Sequence, residues 1–158
     1  MYLYERSPKA GSVRSPWAMK KIMKRHASSA LGKKMEDEAK VLKSLSHPNI
    51  IGYRAFKKGP DGAHTLVMED GQKALFDIIE ERNDNELGPF PAENIEKVIR
   101  CLASALDYMH TEKQLMHGDI KSTNVLIVGD FESAKLSDFG VTLTVDAEGK
   151  VSKAKTQI

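Results

Sequence analysis

Residues 117–124 read His117-Gly118-Asp119-Ile120-Lys121-Ser122-Thr123-Asn124, and Asp138-Phe139-Gly140 follows later in the chain. Both groups lie in polar loops between short apolar runs that are typical of strands, and functional residues concentrate in such loops. A lone Asp-Phe-Gly is usually an ordinary turn, because glycine and aspartate are common turn residues. Here it is accompanied by a second group of polar residues in a neighbouring loop. The two groups are therefore the first candidates for a functional site.

A lysine and a glutamate in the first half of the chain are further candidates for this site. Strand alternation places Ala18 and Lys20 on one face of a predicted strand. Glu38 lies on the apolar stripe of a predicted helix, where a charge needs a partner because burying it unpaired is costly. The alternatives are a solvated Lys20, and a pairing role for Glu36 or Asp37 in place of Glu38.

Residues 117–124 and 138–140 resemble the catalytic loop and the metal-binding turn of the protein kinase family. Ala18-Met19-Lys20 resembles the Ala-x-Lys of the third kinase strand, and the residues around Glu38 resemble the helix that follows it. The similarity runs from Tyr2 to about Leu143 and is strongest to a mitotic subfamily related to the MAP kinase kinases. It implies a cytoplasmic and nuclear serine/threonine protein kinase whose cofactors are ATP and Mg²⁺.

The resemblance also implies catalytic roles. Asp119 accepts or orients the proton of the substrate hydroxyl, and Lys121 contacts the transferred phosphate. Lys20, held by an ion pair with Glu38, reaches the phosphates of ATP. A lysine two residues after the catalytic aspartate is typical of kinases that act on serine and threonine, so the resemblance favours these substrates over tyrosine.

Further residues are implied to bind the cofactors. Asn124 and Asp138 would hold Mg²⁺, which prefers oxygen ligands. The residues implied to surround the adenine are Ala18, Lys20, Met68, Glu69, Gly71 and Leu126. Met68 would be the gatekeeper, with the hinge at the residues after it. The alternative is that Met68 simply fills the core, as methionine often does.

Three more implied features concern packing and regulation. His117, Phe139 and Leu42 would stack in the regulatory spine of the kinase. Gly118 stands where many kinases have an arginine that binds a phosphorylated activation loop. We therefore predict that phosphorylation of this loop is not read through position 118.

The predicted fold class is α+β, a truncated form of the two-lobed protein kinase fold. The predicted units are a partial N-lobe at 1–69, a partial C-lobe at 70–144 and a flexible tail at 145–158. The N-lobe is expected to lack the glycine-rich strand, and the C-lobe to end just after Asp138-Phe139-Gly140. The predicted strands are 2–4, 17–22, 50–56 and 64–69. The predicted helices are 33–45, a short helix near 75–79 and a core-facing helix that begins at Pro91. A polar loop is predicted at 80–88, between the last two helices.

Composition and charge exclude several other classes of protein. The chain has 24 Lys and Arg against 22 Asp and Glu, a balance that predicts neither a nucleic-acid nor a membrane partner. Cys101 is the single cysteine, so no internal disulfide can form and a reducing compartment is expected. No apolar run approaches the roughly 18 residues of a membrane span, and no signal peptide is recognisable. These features predict a soluble intracellular protein; the cytoplasmic and nuclear location is what the resemblance implies.

Protein substrates are the expected partners. Thr156-Gln157-Ile158 at the carboxyl end fits the ligand pattern of PDZ domains, although so short a pattern also arises by chance. The truncated chain by itself is expected to be a weak or inactive enzyme. The alternative function is a naturally truncated, non-catalytic kinase-like binding module, which the missing glycine-rich strand motivates.

Overall fold

A computed structural model describes residues 2–4, 17–22, 29–59, 63–70, 73–146 and 148–151 of the chain. Its strands are β1 (Tyr2–Tyr4), β2 (Trp17–Ile22), β3 (Tyr53–Lys58), β4 (His64–Glu69), β5 (Lys73–Ala74), β6 (Leu115–Met116), β7 (Val125–Val128), β8 (Ser133–Leu136) and β9 (Leu143–Thr144). Its helices are α1 (Ser29–Ser44), α2 (Leu75–Asp84) and α3 (Ala92–Asp107), with a π-helical turn at Tyr108–Glu112 and a 3-10 turn at Ser122–Asn124. Helices packed on antiparallel sheets confirm the predicted α+β class.

The first half of the chain forms a four-stranded antiparallel sheet in the order β1-β2-β4-β3. Helix α1 packs on β3 and β4 through its apolar stripe, in which Met35, Ala39 and Leu42 are buried. The helix begins at Ser29, earlier than the predicted residue 33. Strand β3 begins later than the predicted residue 50, because Ile50 forms a parallel bridge to Leu136 of β8 instead of joining β4.

The connection between α1 and β3 ties this sheet to the second half of the chain. Asn49 Nδ2 donates hydrogen bonds to Ser133 Oγ at 3.2 Å and to the carbonyl of Ala134 at 3.0 Å. Leu136 N donates to the carbonyl of Asn49 at 2.8 Å, and Ile51 N donates to the carbonyl of Leu136 at 3.0 Å. These hydrogen bonds therefore fix the position of β8 against the first sheet. They also fix where the loop after β8, which contains Asp138, begins.

Helix α2 corrects the predicted loop at 80–88. The helix continues to Asp84, so the first half of the predicted loop is helical. Arg82 lies in its last turn and donates hydrogen bonds to the carbonyls of Leu87, Gly88 and Pro89. These bonds hold the remaining loop against the helix, which explains why a polar stretch extends α2 instead of breaking it.

Helix α3 faces the core over only part of its length. Ala105 and, in the following turn, Met109 are fully buried, whereas Ile95 is 47% exposed and Ile99 is 60% exposed. The helix packs on β8. Within the described part of the chain no element covers Ile95 and Ile99. The apolar stripe therefore faces the core at the C-terminal end of the helix and is exposed at Ile95 and Ile99.

The segment after β9 begins with a hydrogen-bonded turn. Val145 and Val151 pair as an isolated antiparallel bridge. The predicted PDZ ligand at 156–158 lies outside the described residues, and the boundaries 1–69, 70–144 and 145–158 stay predictions. None of the described helices is long and apolar enough to cross a membrane.

Candidate active site

Lys20 and Glu38 form an ion pair that joins β2 to α1. Lys20 Nζ lies 2.8 Å from Glu38 Oε2 and 3.0 Å from Glu38 Oε1. The glutamate side chain is only 6% exposed, whereas that of the lysine is 38% exposed. Lys20 Nζ also lies 3.4 Å from Asp138 Oδ1. The pairing predicted from the awkward position of Glu38 on an apolar stripe is therefore present, and Lys20 is not a freely solvated lysine.

The two alternative carboxylates on α1 pair elsewhere. Glu36 Oε2 lies 2.8 Å from Lys58 Nζ on β3. Asp37 Oδ1 lies 3.5 Å from Lys40 Nζ on the same helix. Only Glu38, on the buried stripe, reaches Lys20, as the helical periodicity indicates.

The charges around Lys20 shift the pKa values of both partners. Burial raises the pKa of the Glu38 carboxyl, although the hydrogen bond and charge of Lys20 oppose the rise. Burial alone would lower the pKa of Lys20, but the hydrogen bond and charge of Glu38, together with the charge of Asp138, raise it overall. Both shifts favour the protonated form, as expected where one ammonium group faces two carboxylates. The cluster therefore has excess negative charge, which a bound cation would offset.

Asp119 is held by two side chains of its own loop. Lys121 Nζ lies 2.7 Å from Asp119 Oδ2. Asn124 Nδ2 donates to Asp119 Oδ2 at 3.0 Å and to the carbonyl of Asp119 at 2.9 Å. The 3-10 turn makes this contact possible, because it folds Asn124 back below Asp119. The hydrogen bond from Lys121 is the main cause that lowers the pKa of Asp119, so this carboxyl is ionised at neutral pH.

His117 is fully buried and connects this loop to the Asp138 turn. The backbone N–H of Asp119 donates to His117 Nδ1 at 3.2 Å, and His117 Nε2 lies 3.0 Å from the carbonyl of Ser137. Since Nδ1 accepts a hydrogen bond, Nε2 carries the proton and donates a hydrogen bond to the carbonyl oxygen of Ser137. The imidazole contacts the edge of Phe139 with ring centroids 5.0 Å apart, and Phe139 and Leu42 belong to one buried cluster. The three residues predicted to form a spine therefore lie in one continuous part of the core.

We expect His117 to make the protein less stable in mild acid. Burial lowers the pKa of His117 below its usual 6.5. Below pH 6.5 the unfolded chain therefore binds a proton at this histidine more readily than the folded chain does. The free energy of unfolding falls as the pH drops, with a limiting slope of about 1.4 kcal/mol per pH unit. His117→Gln keeps an N–H for Ser137 but cannot titrate, so its stability changes less between pH 7 and about pH 5.

Urea unfolding of the natural-length protein across this pH range measures the difference. His110→Gln is the matched control, because His110 is exposed. If wild type and His117→Gln lose stability in parallel as the pH falls, the neutral, buried state assigned to His117 is wrong.

The turn at Asp138 has an unusual backbone conformation. Asp138 has φ +63°, which is uncommon for a residue other than glycine and occurs often at functional sites. Its Oδ1 faces both Lys20 Nζ and the backbone N–H of Gly140, each at 3.4 Å. Ser137, the residue before it, donates hydrogen bonds from N and Oγ to the carbonyl of Asn124, at 2.9 and 3.0 Å. The backbone thus links Asp138 directly to the loop that contains Asn124.

Asn124 and Asp138 suit a magnesium ion. The amide nitrogen of Asn124 is directed at Asp119, so its amide oxygen points away from that carboxylate, and the side chain of Asp138 is 46% exposed. Two oxygen ligands are enough for Mg²⁺, which usually completes its shell with water and substrate phosphates. Among the described residues no three His, Cys, Asp or Glu side chains cluster as a metal site of their own. The chemistry of the donors therefore fits a metal that the protein shares with phosphate oxygens.

The residues predicted around the adenine lie partly together. Ala18 of β2 pairs with Met68 of β4, and both are buried. Leu126 of β7 is half-buried and packs against the same core cluster. Gly71, the predicted hinge residue, lies outside the described residues. The structure therefore pairs Ala18 with Met68 on the strand that contains Lys20, and Leu126 packs against the core cluster to which both belong.

The side chain of Glu69, in the predicted hinge, forms hydrogen bonds within the protein. Its Oε2 accepts hydrogen bonds from Lys135 Nζ and from the backbone N–H of Gly52, each at 3.1 Å. The backbone N–H of Glu69 donates to the carbonyl of Gly52 at 2.8 Å, so neither the side chain nor the N–H of Glu69 is available for the predicted contact with adenine. Sequence reasoning missed Lys135, because a lysine in a short strand has no pattern that reveals its partner.

Gly118 has a backbone that explains its identity. Its φ is +83°, and a Cβ atom at this position would lie 3.0 Å from the carbonyl oxygen of Val141. Glycine adopts this conformation without strain, whereas other residues do not. The prediction that position 118 does not read loop phosphorylation stays a prediction.

Comparison with known proteins identifies the family of this chain. The model of the protein kinase domain family matches residues 9–157. The human lymphokine-activated killer T-cell-originated protein kinase, also named PDZ-binding kinase, is 53% identical over 150 residues, which cover 92% of this chain and 46% of that protein. Mouse serine/threonine-protein kinase 33 is 32% identical over 153 residues, covering 89% of this chain and 29% of that protein. The chain thus spans less than half the length of these relatives.

A solved structure shows the same fold. The crystal structure of the yeast RNA Pol II CTD kinase CTDK-1 complex contains a chain that matches with a TM-score of 0.68 at 20% identity. The match covers 84% of this chain and 41% of that one. It supports the fold, and the family model that spans most of the chain shows the relationship. The chain belongs to the protein kinase family.

Proposed function

We propose that this chain is the part of a serine/threonine protein kinase that anchors ATP and contains the catalytic loop. The proposal depends above all on Lys20, which contacts Glu38 and Asp138 at the same time. The ammonium group of Lys20 lies between α1 and the Asp138 turn. Any phosphate oxygen that it binds must therefore lie where these two elements meet. The loop of Asp119 is joined to that turn through Ser137 and His117.

The reaction would transfer the γ-phosphate of ATP to a protein hydroxyl, and it depends mainly on positioning and charge. The carboxylate of Asp119 is ionised and can accept the proton of a serine or threonine hydroxyl as the hydroxyl oxygen attacks the phosphate. Lys121, now paired with Asp119, is exposed enough to turn towards the transferred phosphate. Asn124 holds Asp119 in place by two hydrogen bonds.

Asn124 and Asp138 are the residues that would hold Mg²⁺. When bound, the ion would neutralise and orient the phosphate oxygens of ATP. Lys20 would neutralise further phosphate charge while Glu38 keeps it in position. The cofactors proposed for this protein are therefore ATP and Mg²⁺.

The proposal is tested by incubating the natural-length protein with ATP, Mg²⁺ and a mixture of peptides that contain serine, threonine or tyrosine. We expect phosphate on serine and threonine only, because Lys121 lies where kinases with these substrates have lysine. Phosphoamino-acid analysis of the products measures the distribution. Phosphate found mainly on tyrosine would contradict the assigned specificity, and no transfer at all would favour the alternative of a non-catalytic kinase-like binding module.

We also propose a mitotic, MAP kinase kinase-like role in the cytoplasm and nucleus. The support is the 53% identity to the human kinase named above. Its alternative name, PDZ-binding kinase, makes a PDZ domain a candidate partner beside the protein substrates. Fluorescence imaging of the tagged natural-length protein through the cell cycle tests the location; exclusion from both compartments would contradict it.

A further inference from the structure

A cleft of about 480 Å³ lies behind the strand that ends at Glu69, away from Lys20. It is bounded by the end of α1, the connection between α1 and β3, the start of β3, and β8. The apolar residues that line it include Leu45, Ile50 and Ile51, all buried. Its size is within the range of clefts that bind ligands in proteins, roughly 300–1,000 Å³.

Basic side chains dominate the charge of this cleft. Lys43 at the end of α1, Arg54 on β3 and Lys135 on β8 line it, against one carboxylate, Glu69. Lys135 neutralises Glu69, since the two form an ion pair at 3.1 Å. Lys43 and Arg54 are exposed, and neither has an ion-pair partner among the described residues. Two positive charges from different elements therefore line one cleft of mixed polar and apolar character, without an ion-pair partner among the described residues.

We propose that this cleft, here named the rear cleft, docks an acidic peptide segment of a partner protein. An apolar floor beside uncompensated lysine and arginine side chains complements a segment in which carboxylates alternate with apolar residues. Arginine binds carboxylates through two parallel hydrogen bonds, which gives orientation as well as charge. The cleft is far larger than a phosphate ion, so its volume favours a peptide over a simple anion.

The rear cleft shares a wall with the proposed nucleotide site. Lys135 and Glu69 line the cleft, and the backbone of Glu69 belongs to β4 opposite Trp17 of β2. Neither Lys43 nor Arg54 has a role in the proposed catalysis. Peptide docking can therefore be measured separately from phosphate transfer, and its failure would leave the proposed function untouched.

Fluorescence anisotropy with the natural-length protein tests the proposal. The probes are a fluorescein-labelled peptide of alternating glutamate and leucine and a second peptide in which lysine replaces glutamate. We expect saturable binding of the acidic peptide only. Arg54→Glu and Lys43→Glu should each weaken it by roughly tenfold or more. Lys97→Glu is the matched control, because Lys97 is exposed on α3 and does not line the cleft.

Thermal melting of each variant accompanies the titration, because only variants that melt like the wild type count. Absence of binding by the acidic peptide would overturn the proposal, as would equal binding of the basic peptide. An Arg54→Glu variant that binds like Lys97→Glu would overturn it too. Displacement of the peptide by inorganic phosphate, but not by chloride at the same ionic strength, would show a simple anion site and likewise contradict peptide docking.

Discussion

Replacing Asp119 by asparagine is expected to lower the rate of phosphate transfer by roughly 10²–10⁴-fold, the usual contribution of a general base. The amide has almost the same shape as the carboxylate, so the loop should stay folded around it. It cannot accept a proton from the substrate hydroxyl at neutral pH. It also leaves Lys121 without the carboxylate that now lies 2.7 Å from its Nζ. The loss should therefore appear in kcat, whereas the KM for ATP should change little.

Steady-state kinetics of the natural-length protein measure both parameters. Asp130→Asn is the matched control, since Asp130 lies in the turn between β7 and β8 and is exposed. Its kcat should equal that of the wild type. An Asp119→Asn variant that keeps near-normal kcat would show that Asp119 is not the base. A variant with unchanged kcat but a much higher KM for ATP would assign it to nucleotide binding instead.

The candidate site could be predicted largely because its chemistry is local in the sequence. Asp119, Lys121 and Asn124 are only a few residues apart, so a single turn brings them into contact. The contact between Lys20 and Glu38 is not local, but it follows from one physical conflict. A carboxylate on a buried stripe requires a cation, and strand alternation directs Lys20 towards the same layer.

Other contacts have no such signal in the sequence. The pairing of Lys135 with Glu69 depends on how β8 lies against β4, and neither residue conflicts with its own element. The extension of α2 to Asp84 depends on Arg82, whose hydrogen bonds to three carbonyls become visible only in the folded chain. From the sequence alone, such charged residues are assigned to loops or to the surface, because a local sequence pattern gives no information about tertiary contacts.

The exposure of Ile95 and Ile99 illustrates a further limit. The helical period predicts which face of α3 is apolar, and that prediction does not depend on the rest of the fold. Whether the face is covered depends on its neighbours. Among the described residues, β8 and the π-helical turn pack against α3, and Ile95 and Ile99 remain exposed.

Lys20→Met is expected to abolish most of the activity and also to destabilise the fold in a pH-dependent way. Removing one charge that stabilises the transferred phosphate usually costs about 10²–10³-fold in rate. Glu38 would remain 6% exposed without its partner. Breaking a buried pair costs roughly 3–5 kcal/mol. Because Lys20 itself is 38% exposed, solvent screens the pair and we expect about 2–3 kcal/mol.

The sign of the pH dependence follows from Glu38. Burial already raises its pKa above 4.5 in the folded protein, and loss of Lys20 removes the main opposing cause. A carboxyl whose pKa is higher in the folded state binds a proton more readily there than in the unfolded chain. The Lys20→Met variant should therefore come closest to wild-type stability near pH 5 and lose stability as the pH rises through the raised pKa.

Urea unfolding at several pH values, together with kinase assays, separates the two effects. Lys21→Met is the matched control, because Lys21 is exposed on the opposite face of β2. The double variant Lys20→Met/Glu38→Leu removes the unpaired charge, so it should regain stability at pH 8 while staying inactive. If the double variant is as unstable as Lys20→Met, an unpaired Glu38 is not the cause of the destabilisation. If it regains activity, phosphate binding does not depend on Lys20, and the assignment of this lysine to the nucleotide site is wrong.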